Sequence, residues 1–189
     1  MRFTKQEYTY EGEESLPNSF WKQFFSMSTI GNTYTVLIDS EPISYPANFT
    51  NEEGQIIKSE CFMDLVMCDT EYESYTNDPF FTACLEYESP KVLSVGYGLG
   101  FIVPEMQSQN ADLTVIEKEQ EIIDLEDDID PSITIIVDDI NTMDLSSLGP
   151  YDVIFCDTTE TITNPERLEA LLNEDGKLIH WKHRKVTTE

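Results

Sequence analysis

Short apolar runs separated by polar segments dominate the chain from about residue 61 onward. Five of them, each of four or five residues, are Val92–Val95, Leu113–Ile116, Ile133–Val137, Asp152–Cys156 and Lys177–Trp181. Runs without polar alternation are typical of strands buried on both faces of a parallel sheet. Helices are predicted between them at 101–109, 118–128 and 165–172. This order predicts an α/β fold, a doubly wound, Rossmann-like and mostly parallel sheet.

The first sixty residues differ in composition from the rest of the chain, with Ser, Thr, Asn and Tyr in mixed order. The aromatic segment Phe20–Phe25 predicts a short helix, and the β-branched and aromatic segment Thr33–Ile38 predicts a strand. Turns are predicted by Pro42, by Pro46 and by the Glu53-Gly54 step. We therefore expect a small β-rich N-terminal extension over residues 1–60 and the Rossmann-like domain over residues 61–189.

The charge balance narrows the classes of partner. The 189 residues include 37 acidic and 11 basic side chains, so the formal net charge is −26. Nucleic acids and anionic membranes are bound through Lys and Arg, which are scarce here, so neither partner is expected. Two interpretations of the charge stay open: a self-repelling soluble surface, and an acidic decoy that imitates DNA.

The cysteines and the N-terminus favour a cytoplasmic location. The four cysteines form no CxxC pair and lie in apolar stretches, which fits a reducing compartment better than a disulfide framework. No apolar run approaches the ~18 residues of a membrane span, and no signal peptide is expected. His180 and His183 form an HxxH pair without a third ligand in view, so no metal site is predicted.

Acids or glycines follow four of the five predicted strands. They are the glycine turn Gly96–Gly100, Glu117, the Asp138-Asp139 pair and Asp157. Ligands of doubly wound sheets bind outside the carboxyl ends of the strands, so these residues are expected to converge on one crevice. The arrangement favours a nucleoside-type ligand.

The glycine turn and the acid beyond it favour a cofactor without a pyrophosphate. Glycines let the backbone turn tightly and let a ligand approach closely. Glu117, seventeen residues past Gly100, is placed to accept hydrogen bonds from both ribose hydroxyls. A dinucleotide site would carry another glycine at position 101, where Phe101 stands. S-adenosylmethionine fits these features best.

A family resemblance rests on four segments, which occur in the order VLSVGYGLG, VIEKE, IVDDI and YDVIFCDT. They resemble the signature motifs of class I S-adenosylmethionine-dependent methyltransferases over about residues 62–182. The preceding VMCDTEYESYT is similar to the acid-and-tyrosine segment of the guanidinoacetate methyltransferase and spermidine synthase branch. The chain also resembles small methyltransferase-like proteins of phage genomes.

The resemblance implies a role for each matched residue. The implied cofactor-binding residues are Gly96, Tyr97 and Gly98, whose backbone would contact the methionine part, Gly100 of the same turn, Glu117 at the ribose, and Lys118, Asp139 and Ile140 at the adenine. Asp157 matches the catalytic aspartate and would face both the methionine end and the acceptor.

The chain departs from the family pattern at three places. Ser94 stands where most members carry an acid, and Leu99 stands where spermidine synthases carry an aspartate. The chain also ends soon after the fifth strand, so we expect a sheet shortened at its C-terminus. Its open edge would be covered by the extension or by a partner, which makes a homo-oligomer plausible.

The chemistry of methyl transfer selects further candidates. An amine or guanidino acceptor must lose a proton, and a carboxylate such as Asp157 can take that proton while attracting the cation. Asp69, Glu71 and Tyr75 are candidates for binding a small cationic acceptor. For the two acids among them, a solvated surface is the alternative.

Three functions stay open. The first is a methyltransferase acting on a small amine or guanidino compound, with aminopropyl transfer from the decarboxylated cofactor as a variant. The second is a non-catalytic S-adenosylmethionine-binding protein, which Ser94 and the shortened sheet favour. The third is an acidic DNA-mimic inhibitor, which the net charge alone supports.

Overall fold

The computed structural model describes residues 2–17, 19–50, 56–158 and 162–180. The chain divides into two compact units, Met1–Glu73 and Ser74–Glu189. The boundary expected at residue 60 falls inside strand β3 (Ile56–Cys68). The change of residue composition near residue 60 therefore does not coincide with the border between the units.

The first unit contains a three-stranded antiparallel sheet in the order β1-β2-β3. Its strands are β1 (Phe3–Thr9), β2 (Thr33–Thr50) and β3 (Ile56–Cys68), with a 3-10 turn at Glu13–Ser15 and helix α1 (Ser19–Phe24) between β1 and β2. The predicted short helix and strand are confirmed, and β2 is longer than its apolar run indicated. This sheet is the small β-rich N-terminal element expected from the sequence.

The two prolines of β2 do not form the turns predicted for them. In the described part of the chain, β1 pairs with β2 only as far as Asp39, and the rest of β2 pairs with β3 alone. Proline, which has no N–H, is tolerated where a strand has a free side. Pro42 falls in the interval Ile38–Ile43, where the register shifts, and Pro46 continues the strand. The Glu53-Gly54 step lies outside the described residues.

Aromatic side chains form the core of the first unit. The Trp21 ring stacks on Phe25 at a centroid distance of 5.9 Å, and Phe25 meets Tyr34 edge to face at 5.5 Å. The indole Nε1 of Trp21 donates a hydrogen bond to Asp64 Oδ1 at 2.8 Å. Trp21 and Phe24 of α1, with Phe25 directly after the helix, thus pack in one core with residues of β2 and β3.

The second unit is built on a five-stranded parallel sheet in the order β6-β5-β4-β7-β8. The strands are β4 (Lys91–Val95), β5 (Asp112–Glu117), β6 (Thr134–Val137), β7 (Tyr151–Cys156) and β8 (Leu172–His180). The helices are α2 (Glu71–Cys84), which begins before this unit, α3 (Ile102–Ser108), α4 (Gln120–Ile123) and α5 (Glu166–Glu169). This is the predicted doubly wound, Rossmann-like α/β fold.

The central strands are buried and the edge strands are partly exposed. Strands β4, β5 and β7 have nearly unbroken buried sequences, whereas β6 and β8 do not. Phe80 of α2 stacks on Phe155 of β7 with a centroid distance of 4.4 Å and an interplanar angle of 8°. None of the helices in the described ranges has the length and apolar character needed to cross a bilayer.

Two predicted helices are much shorter than expected. The segment predicted as a helix over 118–128 contains only the four residues of α4, and the one over 165–172 contains only those of α5. Residues 117–130 include eight acids in fourteen positions, and like charges three or four residues apart destabilise a helix. Within α4, only Ile122 is buried, so packing does not compensate for this repulsion.

Candidate functional site

The glycine turn lies between the ends of three strands, at the point where the strand order reverses from β4 to β7. Gly96 has φ 105°, and a Cβ there would lie 2.2 Å from the carbonyl oxygen of Asp157. Its N–H donates to the Ile116 carbonyl at 2.8 Å, and the Asp157 N–H donates to the Val95 carbonyl at 2.9 Å. Only glycine fits this contact, because the opposing atoms belong to the backbone.

Ser94 and Tyr97 stabilise the turn from inside. Ser94 is fully buried, and its hydroxyl donates to the carbonyl of Gly96 at 3.0 Å. The Tyr97 side chain is buried close to Gly100, where a Cβ would come within 2.8 Å of the phenol oxygen. Burial, aided by the charge of Glu126, raises the pKa of Tyr97, so the phenol stays neutral at physiological pH.

Glu117 is a buried carboxylate at the end of β5, with 7% of its surface exposed. Its Oε2 accepts a hydrogen bond from the Tyr97 N–H at 2.9 Å, and its Oε1 accepts one from the Glu119 N–H at 2.9 Å. Burial raises the pKa of Glu117, and hydrogen bonds from backbone N–H groups partly oppose that shift. The carboxylate is thus fixed beside the glycine turn by backbone N–H groups.

Asp157 directly follows β7, and β7 lies on the opposite side of β4 from β5, which ends at Glu117. The residue is half-buried, and burial together with the negative charge of Glu117 raises the pKa of its carboxyl to about 7. The two carboxylates therefore lie close enough to repel each other across the glycine turn. A cation bound between them would relieve this repulsion.

The acid after β6 is held by local contacts. Asp139 Oδ1 accepts from the Asn141 N–H at 2.9 Å, and Asp139 Oδ2 lies 3.5 Å from Lys118 Nζ. Both charged side chains of that pair are partly exposed. The Ile140 side chain is buried in the core of the sheet, with 8% of its surface exposed. Asp139 and Lys118 join the ends of β6 and β5 at the same edge as Glu117.

A guanidinium that sequence reasoning missed holds the segment after Asp139. Arg167 of α5 donates to the carbonyls of Ile140 at 3.3 Å and Asn141 at 2.9 Å, and also to that of Met143. The rigid fork of five N–H donors suits such a cluster of carbonyls. The sequence indicates a role for Arg167 only weakly, because the chain has three arginines and this one lies in a segment predicted to be a helix.

The predicted acceptor residues lie on both sides of the border between the units. Asp69 Oδ1 accepts from the Thr35 N–H at 2.6 Å, and Glu71 Oε1 accepts from the Tyr34 hydroxyl at 3.2 Å. These contacts fix both acids within the first unit. Tyr75 belongs to the second unit and is 62% exposed.

The thiols and the metal-ligand residue types form no reactive site in the described ranges. Cys84 and Cys156 are free and buried, and burial raises the pKa of each thiol to about 12. No group of three or more His, Cys, Asp or Glu side chains in the described part of the chain could hold a metal ion. Cys61 lies in β3 at a position whose side chain is not described, and His183 lies outside the described residues.

The structure is that of a Rossmann-like α/β protein in which the glycine turn, Glu117 and Asp157 follow neighbouring strands at the carboxyl edge of the sheet, where folds of this class bind their ligands. No protein-family model and no curated protein matches the chain.

Three similar solved structures are methyltransferases. The plantazolicin methyltransferase BpumL, in complex with a desmethylPZN analogue and SAH, is 22% identical over 57% of this chain and 50% of its own, with a TM-score of 0.43. A TehB-like SAM-dependent methyltransferase from Corynebacterium glutamicum is 20% identical over 55% of this chain and 60% of its own, with a TM-score of 0.45. Coclaurine N-methyltransferase bound to N-methylheliamine and SAH is 17% identical over 58% of this chain and 35% of its own, with a TM-score of 0.44. The chain thus spans between about a third and three fifths of the length of these structures.

Proposed function

We propose that the second unit binds S-adenosylmethionine at the carboxyl edge of its sheet and transfers a methyl group to a small cationic amine or guanidino compound. The observation that carries this proposal is the meeting of three features at the topological switch point: the backbone turn at Gly96, the buried Glu117 and the raised pKa of Asp157.

In this proposal each part of the cofactor would meet a different set of residues. The backbone of the glycine turn would hold the amino-acid part, because Gly96 admits no side chain between the ligand and the main chain. Glu117, already oriented by two backbone N–H groups, would accept hydrogen bonds from the ribose hydroxyls. Lys118, Asp139 and the backbone near Ile140 would flank the adenine. A ligand that carries a sulfonium and an ammonium suits two carboxylates that repel each other.

Asp157 is the proposed catalytic residue. When bound, the cofactor supplies an electrophilic methyl group on a positively charged sulfur. The carboxylate of Asp157 would attract the protonated acceptor and take the proton from its nitrogen. The freed lone pair would then form the new N–C bond as the bond between the methyl carbon and sulfur breaks and the neutral thioether leaves. A carboxyl with a pKa near 7 is half ionised near neutral pH and suits proton transfer there. Tyr75, Asp69 and Glu71 stay candidates for acceptor binding that were predicted from sequence alone.

A non-catalytic cofactor-binding protein is the second candidate. Ser94 favours it, because a buried hydroxyl that supports the turn stands where most class I methyltransferases carry an acid. An aminopropyl transfer is a third possibility for the same crevice, since it uses the decarboxylated cofactor. We place the acidic DNA-mimic below these, because the paired acids at the strand ends are buried or half-buried rather than arrayed on a surface.

Turnover with a labelled methyl donor separates the candidates. The full chain is incubated with methyl-labelled S-adenosylmethionine and a pool of polyamines, guanidino acids and simple amines, and methylated products are identified by mass spectrometry. We expect labelled product from at least one cationic acceptor. We also expect Asp157→Asn to lower its rate by about 10²- to 10⁴-fold, while cofactor binding persists.

Three results would change this proposal in different ways. Saturable cofactor binding without any labelled product would favour the binding protein. Full turnover by Asp157→Asn would remove the role given to this residue. Use of the decarboxylated cofactor in place of S-adenosylmethionine would identify aminopropyl transfer.

A further inference from the structure

Helix α2 crosses the sheet from its carboxyl edge to its amino edge. Phe80 stacks on Phe155 near the end of β7. Seven residues later, the Tyr87 hydroxyl donates to the carbonyl of Asp175, near the start of β8, at 2.7 Å. The chain therefore moves toward the amino edge after Phe80, and the residues before Phe80 lie nearer the carboxyl edge.

Asn77 lies one helical turn before Phe80, on the same face of α2. Three residues of helix span about 4.5 Å along the axis. Asp157 lies two residues beyond Phe155, about 6.6 Å along the strand. Since α2 runs opposite to β7, these lengths put the backbone of Asn77 near the level at which β7 ends.

The amide of Asn77 is buried and incompletely paired. The residue is 1% exposed, and no residue in the described part of the chain donates a hydrogen bond to its Oδ1. An unpaired buried carbonyl opposes folding, and an apolar side chain would pack against the sheet without that cost. Phe80 and Cys84 on the same face show that apolar groups are accepted there. A donor that arrives with a ligand would pair this oxygen.

We propose that Asn77 Oδ1 accepts a hydrogen bond from the α-ammonium group at the amino-acid end of the cofactor. This inference rests on the proposed function, and it adds a binding residue that none of the four motifs contains. The burial of Asn77 favours the α-ammonium group as its partner, because the amino-acid end of the cofactor would lie against the glycine turn, whereas an acceptor would enter from solvent. Charge selects it too, since a neutral amide accepts from a cation without adding a third negative charge beside Glu117 and Asp157.

The test compares two ligands in matched variants. Calorimetry measures the binding of S-adenosylhomocysteine (SAH) and of the SAH analogue that lacks only the α-amino group. Asn77→Leu should weaken SAH binding about 10- to 100-fold, as loss of a charge-assisted hydrogen bond does, and should leave binding of the deamino analogue unchanged. Its melting temperature should equal or exceed that of the wild type, because a buried unpaired group is removed.

Gln109→Leu is the control. Gln109 follows α3 at the amino edge of the sheet, and its Oε1 is also buried without a donor in the described ranges. This variant should bind SAH like the wild type. If Asn77→Leu folds poorly, Asn77→Ala is measured under the same conditions with the same expectation.

The inference is overturned if the Asn77 variants bind SAH within twofold of the wild type, or if they lose both ligands equally. In either case wild-type binding of SAH leaves the proposed function standing. Failure of the wild type to bind SAH would overturn both.

Discussion

Replacing Gly96 by alanine is the sharpest test of the backbone contact at the centre of the site. The new Cβ would lie 2.2 Å from the carbonyl oxygen of Asp157 and 3.1 Å from its carbonyl carbon. Because these are backbone atoms at the end of β7, they cannot rotate away as a side chain would. The turn or the strand end must move by roughly 1 Å to restore van der Waals contact.

The chain offers a control that separates steric conflict from backbone strain. Gly31 has φ 92°, close to the 105° of Gly96, but nothing lies within 4 Å of the position its Cβ would take. Alanine in such a conformation costs about 1–2 kcal/mol. Gly31→Ala should show that cost alone, whereas Gly96→Ala should add a conflict of about 1–3 kcal/mol, as overpacking does.

Urea unfolding followed by circular dichroism measures the two free energies, and calorimetry with SAH measures binding. Gly96→Ala should lose more unfolding free energy than Gly31→Ala and should bind SAH at least tenfold more weakly. Gly31→Ala should bind like the wild type. Equal destabilisation by the two variants, with binding intact in both, would refute the reasoning about the turn.

Two further predictions concern groups around the crevice. Burial raises the pKa of Asp157 to about 7, so ionising it opposes folding, and this cost grows as pH rises from about 4 through 7. The gain in melting temperature of Asp157→Asn over the wild type should therefore be larger at pH 8 than at pH 5, and a constant difference would contradict the shift. Arg167→Met removes the donors to three carbonyls and should lower the free energy of unfolding by about 1–3 kcal/mol in urea titrations, with partial recovery in Arg167→Lys. Unchanged stability would show that the clamp contributes nothing.

The parallel sheet was predictable because its strands are buried on both faces and its acids follow them directly. Apolar runs without alternating polar residues, such as Val92–Val95, are typical of strands buried on both faces of a parallel sheet. The strand order then brings Glu117 and Asp157 to opposite sides of Gly96 by topology alone. Local pattern and connection rules thus placed the centre of the site.

The remaining features depend on contacts that no local pattern encodes. The helix predicted over 118–128 failed because repulsion among its acids outweighs the apolar spacing around Ile122. Pro46 continues a strand because β1 ends before reaching it, which only the pairing reveals. The role of Arg167 became visible through the carbonyls that the fold brings beside it, and the proposal for Asn77 rests on the burial of its amide against the sheet.

Calorimetric titration of the full chain with SAH, in the wild type and in Glu117→Ala, tests the central claim most directly. We expect saturable one-site binding by the wild type and an affinity about 10- to 100-fold lower in the variant, since the ribose hydroxyls lose a charged acceptor. Absence of heat at near-millimolar SAH, or equal affinity in both proteins, would contradict the assignment of the crevice to this cofactor.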